Sequence, residues 1–213
     1  MTSEQIGAMR REYESEGIDI DAMLADPYEQ FRLWFAEAIE TEQEDANAMV
    51  LATVAPDGAP SARVLLLKGI DRGFIFYTNY HSRKGREIEE NRRGALVFWW
   101  RELNRQVRIE GVIRRVPEEM SDHYFASRPL GSRLSAAASP QSGLVESRQV
   151  LEGRVEELQR AHGEEGPARP SEWGGYRLEA ESIEFWQGRR NRLHDRLVYR
   201  QSEETWVLER LAP

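Results

Sequence analysis

The chain has 213 residues, 37 acidic against 29 basic side chains, and a formal charge of −8. That length buries a real core without crosslinks, and the absence of cysteine excludes a disulfide framework, a thiolate metal site and a cysteine nucleophile. The acidic balance argues against broad nucleic-acid binding, and no window approaches the roughly 18 consecutive apolar residues of a membrane-spanning helix.

Residues 1–25 are polar and weakly periodic and read as a mobile arm, with one helical turn around Arg10 to Tyr13. The opening MTSEQIGAMRREYESEG lacks the apolar centre of a signal peptide. With the missing cysteines this predicts a soluble, cytoplasmic protein. Asp26 and Pro27 form a capping residue followed by proline at the first helical position, and Phe31, Trp34, Phe35, Ala38 and Ile39 share one helical face. A helix is predicted from Pro27 to Glu42. From Ala48 the pattern turns to strands: AMVLATVA, SARVLLLKGI and FIFYTN, joined by the turns PDGAP and DRG. SRKGREIEENRR reads as a short polar helix, GALVFWW and QVRIEGVIRRV as two further strands. Pro117 to Ser127 and Ser147 to His162 read as helices, the second through Val150, Leu151, Val155 and Leu158, with GEEGPARPSEWGG a Gly- and Pro-rich loop after it. YRLEAESIEFWQG, DRLVYRQ and TWVLERL return to strands. The class is therefore α+β and mainly β: roughly seven or eight antiparallel strands, enough to curl into a small barrel with helices outside. No repeat and no boundary divides residues 26–213, which read as one domain behind the arm.

Several short groups of residues carry chemistry. Arg63 and Lys68 lie five apart on one predicted strand, Arg63-Val64-Leu65-Leu66-Leu67-Lys68, so strict alternation points them to opposite faces, where they serve two anions or protect an edge strand. Tyr77-Thr78-Asn79-Tyr80-His81-Ser82-Arg83-Lys84 runs from a strand end into a helix start, where unpaired N–H groups and two cations would hold a phosphate; a Ser-capped surface helix has the same pattern. Asn104, Arg105 and Gln106 open a strand, and Gln141 and Ser142 lie in a loop; amides that donate and accept suit the edge of a heteroaromatic ring. Tyr124, Arg128 and Ser132 are spaced four apart across a helix and its following turn, where phenol, guanidinium and hydroxyl could converge on one phosphate. Trp186 to Arg196 gathers an aromatic ring, an imidazole and several guanidinium groups, a set fit for a flat phosphorylated ligand or for a solvated turn. The four histidines have no metal-ligand spacing, so no metal is expected.

Taken in order, RVLLLK, FYTN with SRK, NRQV, YFASRP, QS, WGGYR, IEFWQG, RLHDR and the terminal ERLAP resemble the pyridoxamine 5′-phosphate oxidase family, from about Arg10 to Pro213. The resemblance implies a homodimer of FMN-binding split β-barrels with the cofactor between subunits. It implies oxidation of pyridoxamine and pyridoxine 5′-phosphates to pyridoxal 5′-phosphate, with O2 as acceptor, H2O2 as product and NH3 from the amine, in vitamin B6 biosynthesis or salvage. Carried over by residue, Arg63, Val64, Leu65, Leu66, Leu67, Lys68, Tyr77, Thr78, Arg83, Lys84, Gln106, Gln141, Ser142, Trp186 and Arg196 surround FMN. Lys68, Tyr124, Arg128 and Ser132 grip the substrate phosphate, and Arg192, Leu193 and His194 face the substrate ring, with Arg192 and His194 assigned to catalysis. Arg10, Arg11, Glu12 and Tyr13 match an arm that closes over the site. The loop Gly188-Arg189-Arg190-Asn191 is more basic than the family pattern. Against the enzyme stand a non-catalytic FMN or pyridoxal phosphate carrier of the same fold and a nucleic-acid binder resting on Arg10, Arg11, Arg92, Arg93, Arg114 and Arg115; intact Arg192 and His194 oppose the first, dispersed pairs and net charge the second.

Overall fold

The computed structural model describes residues 1–9, 12–42, 44–203 and 205–213. Its helices are α1 (Ser3–Gly7), α2 (Pro27–Glu42), α3 (Arg83–Glu90), α4 (Glu118–Ser127), α5 (Leu130–Ala138) and α6 (Arg148–His162). Its strands are β1 (Ala48–Val54), β2 (Pro60–Leu66), β3 (Gly69–Ile70), β4 (Phe74–Asn79), β5 (Arg93–Trp100), β6 (Arg105–Arg115), β7 (Trp173–Gln187), β8 (Asp195–Ser202) and β9 (Thr205–Leu211). They form one sheet in the order β2-β1-β5-β6-β7-β4-β3, from which β8 and β9 branch at β7. The pairings of β3 with β4, β4 with β7, β7 with β8 and β8 with β9 are antiparallel. The class is α+β and mainly β, as the sequence predicts.

The chain divides into two compact units. Residues 1–49, 96–110 and 181–213 make one, and residues 50–95 and 111–180 the other.

In the first unit α2 begins where Asp26 accepts the Tyr28 N–H at 2.7 Å. It buries Phe31, Trp34 and Ala38, while Ile39 is exposed, so the apolar stripe is narrower than the sequence suggests. Phe31 meets Phe98 and Trp100 with ring centres 5.0 and 5.9 Å apart, and Trp34 meets Phe185 edge-on at 5.1 Å. Trp100 donates its buried indole N–H to Ala46 O at 2.9 Å, so this large ring is sequestered without an orphaned donor. The amino-terminal helix is Ser3–Gly7, set by a capping box between Thr2 and Gln5. The turn expected around Arg10 to Tyr13 begins on Arg10 and Arg11, which lie outside the described residues; Glu12 and Tyr13 are not helical.

The second unit packs Leu51, Phe74, Phe76, Ile88, Ile113, Phe125, Leu134, Trp173, Tyr176 and Leu178. Two expectations need correction here. The run from Ser61 to Ile70 is not one strand: β2 ends at Leu66, Leu67 is buried, and the chain re-pairs as β3, with the Lys68 N–H donating to Ile75 O at 2.8 Å. Strict alternation therefore does not relate Arg63 to Lys68. The stretch after Pro129 is also a helix, α5, buried through Leu134 and Ala138 against α6. Pro129 occupies its N-cap, so the turn expected after the helix ending at Ser127 is only the break between α4 and α5.

Candidate functional site

The candidate residues fall into both units. In the unit of residues 50–95 and 111–180, β4 ends at Asn79 and the chain turns into α3 through Ser82, whose hydroxyl caps the helix by accepting the Gly85 N–H at 3.2 Å. The turn is tight, since any side chain at Gly85 would collide with the Tyr80 carbonyl. Lys84 is buried behind it and donates to Thr78 Oγ1 at 3.2 Å and Gln141 Oε1 at 3.1 Å. Burial, reinforced by nearby Arg63 and opposed by Glu87, pushes the Lys84 ammonium down to about 8. Gln141 Oε1 also accepts the Thr78 hydroxyl at 2.8 Å, and Ser142 Oγ accepts the Arg83 N–H at 3.1 Å. The 141–142 loop is thus fastened to the first turn of α3.

Arg63 and Arg83 share one carboxylate, Glu87. Arg83 Nε donates to Glu87 Oε1 at 2.8 Å and Arg63 Nη2 to Oε2 at 3.3 Å, while Thr53 and Ser61 donate to Oε2 at 2.5 and 2.6 Å. Burial works against its charge, but the hydroxyls of Ser61 and Thr53 and the two guanidinium groups outweigh it and hold the carboxyl down to about 2. Arg63, Arg83 and Lys84 less one ionised Glu87 leave two positive charges beside the N-terminus of α3, the complement of a phosphate dianion. On this ground the residues present fit the phosphate of FMN. Thr53, Ser61 and Glu87 were not among the sequence candidates. They come from β1, β2 and α3, and nothing local in the sequence joins them.

The second group in this unit surrounds Arg128. Tyr77 and Tyr124 stack with ring centres 3.9 Å apart and 17° between planes, and Trp173 lies near-parallel to both, 5.5 Å from Tyr77 and 6.2 Å from Tyr124. The Arg128 guanidinium sits 4.7 Å from the centre of the Trp173 ring. Its Nη1 is buried without a hydrogen-bond partner, and burial holds the guanidinium below its ordinary value, with Tyr124 opposing. Arg128 and Ser132 line an open pocket of about 440 Å³ with Asn79, Gln141 and Trp173. A buried N–H with no acceptor is costly, and an anion in this pocket would remove that cost. Trp173 was missed by sequence reasoning. Its signal is the following Gly174, where any side chain would collide with the Tyr80 hydroxyl, a mark of close packing. In the β2 region Leu65 is half-buried, Val64, Leu66 and Lys68 are exposed, and none of these lines the pocket.

In the other unit Trp186 and Gln187 end β7, and a loop of residues 188–194 follows. Trp186 and His194 lie 4.6 Å apart between ring centres, and Tyr13 meets them edge-on at 5.7 and 5.4 Å. His194 Nδ1 accepts the Arg189 N–H at 3.0 Å, which places a neutral imidazole's proton on Nε2. Burial and then Arg192 hold the imidazole below its ordinary value. Asn191 and Arg192 are left-handed, with φ of 57° and 60°. Two successive non-glycine residues in that region are strained, and the Arg192 and Leu193 side chains stand exposed. Arg196 is engaged by Glu184 through Nε and Nη2, both at 3.0 Å. Gln106 is half-buried in β6, and Glu12 is exposed. Neighbouring Asn104 has φ 51° and a buried Oδ1 without a partner. Arg10 and Arg11 lie outside the described residues.

Among the described residues no group of three or more His, Asp or Glu side chains is placed to hold a metal, and no helix is long and apolar enough to cross a membrane.

Comparison with known proteins adds independent findings. The family pattern described as pyridoxamine 5′-phosphate oxidase matches residues 35–161, and that of the pyridoxine 5′-phosphate oxidase C-terminal dimerisation region matches residues 173–213. The chain is 53% identical to the pyridoxine/pyridoxamine 5′-phosphate oxidase of Salinibacter ruber, over 98% of this chain and 99% of that one. Among solved structures it is similar to PhzG from Burkholderia lata, solved in complex with tetrahydrophenazine-1-carboxylic acid, with a TM-score of 0.87 and 31% identity over 95% of this chain and 100% of that one. A pyridoxamine 5′-phosphate oxidase-related, FMN-binding protein from Nostoc punctiforme shares the fold, with a TM-score of 0.69 and 18% identity over 86% and 97%.

Proposed function

The chain belongs to the pyridoxamine 5′-phosphate oxidase family, and from that premise we propose that it oxidises pyridoxamine 5′-phosphate and pyridoxine 5′-phosphate to pyridoxal 5′-phosphate with FMN as cofactor and O2 as acceptor. H2O2 is the reduced product, and the amine substrate also consumes water and releases NH3. The observation that carries the reading is Arg128, whose buried Nη1 lacks an acceptor in a pocket shared with Ser132. A phosphate ester supplies the acceptors this arginine needs, and Tyr124 beside it completes the grip.

Bound FMN would supply the two-electron redox chemistry, which no side chain of this protein provides. Arg63, Arg83 and Lys84 would hold its phosphate, with Gln141 and Ser142 tying the adjoining loop to the same helix start. Thr78 orients Lys84 and Gln141 together. Arg128 and Ser132, with Tyr124 beside them, would hold the substrate phosphate; the family resemblance adds Lys68 to that phosphate and assigns Arg192 to the reacting end of the substrate. His194, with Nδ1 accepting from Arg189, presents Nε2–H as a donor toward the phenolic oxygen of the pyridine ring. Burial, and after it Arg192, disfavours a second proton on this imidazole. Trp186, Gln106 and Arg196 complete the cofactor contacts, and Arg10 to Tyr13 serve as the closing arm. The match of residues 173–213 to a dimerisation region supports a homodimer, and the absence of cysteine suits the cytoplasm.

The test is to load the purified protein with FMN and add pyridoxine 5′-phosphate under air. Aldehyde and peroxide are expected in equal amounts. A yellow protein that forms neither would be a carrier, and a protein that takes up no FMN would overturn the reading.

A further inference from the structure

The loop that follows Trp186 holds two adjacent arginines, Arg190 paired directly with the amino-terminal segment and Arg189 paired with the carboxylate on which that segment is seated. Arg190 Nη2 donates to Glu14 Oε1 at 2.7 Å. Arg189 Nη1 donates to Asp195 Oδ2 at 3.2 Å, and the same carboxylate oxygen accepts the Ile18 N–H at 3.0 Å. Arg210 donates to Asp195 Oδ1 at 2.5 Å through Nη1 and to Ile18 O at 3.3 Å through Nη2. One buried carboxylate therefore gathers a backbone N–H of the arm, the loop arginine and a β9 arginine.

The seating is close. Gly17 has φ 94°, and a Cβ there would lie 2.5 Å from Asp195 Oδ2 and 2.6 Å from Arg189 Nη1. Only glycine suits both that φ and that approach. Ser15 Oγ donates to Gly188 O at 2.6 Å, and a Cβ on Gly188 would come within 2.8 Å of the Tyr13 ring. Arg189 meanwhile uses its backbone N–H to fix His194 Nδ1. Its side chain and its main chain thus tie two different partners into one arrangement.

We propose that Asp195, acting through Arg189, is a positioning residue that couples the seating of the segment 13–18 to the orientation and tautomer of His194. The coupling works in both directions. When Ile18 and Gly17 are docked, Asp195 holds Arg189, and the Arg189 N–H selects the Nε2–H form of His194. When the Asp195–Arg189 pair is broken, Asp195 loses one of the two cations that hold it against the Ile18 N–H, and the Arg189 main chain is released from the position in which it meets His194 Nδ1. The role of this coupling in turnover rests on the oxidase reading, whereas the coupling itself does not.

The experiment compares FMN-loaded wild type with Asp195→Asn, Arg189→Ala, the double variant and Arg189→Lys. Three quantities are read: hydrogen exchange at the Ile18 amide, the nitrogen chemical shifts of the His194 imidazole, and kcat and KM for pyridoxine 5′-phosphate. Loss of a charge-assisted hydrogen bond should raise Ile18 exchange roughly tenfold in each single variant. His194 should change from one tautomer to a mixture. The double variant should be no worse than either single one, and Arg189→Lys should restore most of the wild-type behaviour. If Asp195→Asn does not fold, Arg189→Ala, at an exposed side chain, carries the same test. Unchanged Ile18 exchange together with an unchanged His194 tautomer, or fully additive losses in the double variant, would overturn the coupling. Should wild type fail to oxidise the substrate at all, the oxidase reading falls, while exchange and tautomer still decide the coupling.

Discussion

Both units pair most of their arginines with carboxylates, Arg114, Arg115, Arg169 and Arg177 in the second among them, and the units differ in the cations they leave over. In residues 1–49, 96–110 and 181–213, Arg105 is paired with Glu37, Arg108 with Glu110 and Glu184, Arg189 and Arg210 with Asp195, Arg190 with Glu14, and Arg196 with Glu184. Arg192 is the exception: strained, exposed and without an ion pair among the described residues. In residues 50–95 and 111–180 the cations around α3 outnumber the single carboxylate they share, and Arg128 has an aromatic face but no anion. Paired cations hold backbone segments in place. Cations left in excess, inside a pocket or at the start of a helix, are the ones with charge to offer an anionic ligand, and it is on them that the proposed function rests.

The largest effect expected from breaking this contrast is at Arg192. Arg192→Ala should lower kcat about 10³-fold, the scale of a lost transition-state contact, with FMN content unchanged in the absorbance spectrum; equal loss of both would return Arg192 to the cofactor site. Next comes Glu87, where one partner of a buried network is removed. Glu87→Gln should cost roughly 3 kcal/mol of folding stability by urea denaturation. Its folded-state carboxyl lies near 2, below the unfolded value, so the stabilisation is fully present above about pH 4.5 and is lost as pH falls towards 2. Wild type should show that acid slope, and Glu87→Gln should lose it.

Arg128→Met should raise KM for the phosphorylated substrate about 10- to 100-fold, from loss of a hydrogen bond between charged groups, without a fall in melting temperature, because an orphaned donor is removed. A clear fall in stability would place Arg128 with the structural arginines of the other unit. The smallest effect concerns Lys84. Phosphate favours the ammonium form, and the ammonium loses its proton near pH 8 in the ligand-free protein. FMN affinity should therefore decline above about pH 8, by at most about tenfold per pH unit. In Lys84→Met, fluorescence titration should find weaker binding with a flatter pH profile.

Much of this arrangement was legible in the sequence where one segment contains both the cause and the effect. Asp26-Pro27 and the spacing of Phe31, Trp34 and Ala38 specify α2 over the predicted residues, and FIFYTN is β4 from Phe74 to Asn79. Thr78 and Lys84 were read from one segment, Gln141 and Ser142 were joined to them only by the family resemblance, and hydrogen bonds bring the four together. What the sequence hid depends on distant partners. Glu87 reads as one acid in a polar helix until Thr53 and Ser61 arrive from β1 and β2. Arg196 reads as a free cation until Glu184 meets it from β7. Tyr124, Arg128 and Ser132 read as a helix and its following turn, yet Pro129 starts a new helix between them, and the pocket joins Arg128 to Ser132 by tertiary packing.

The proposed function turns on Arg128, whose unpaired guanidinium suits a phosphate ester. The most direct measurement is kcat/KM of the FMN-loaded protein for pyridoxine 5′-phosphate against unphosphorylated pyridoxine, in wild type and in Arg128→Met. Wild type should strongly prefer the phosphate ester, and the variant should lose about 10- to 100-fold of that preference. Equal rates on the two compounds, or a preference that Arg128→Met leaves intact, would contradict it.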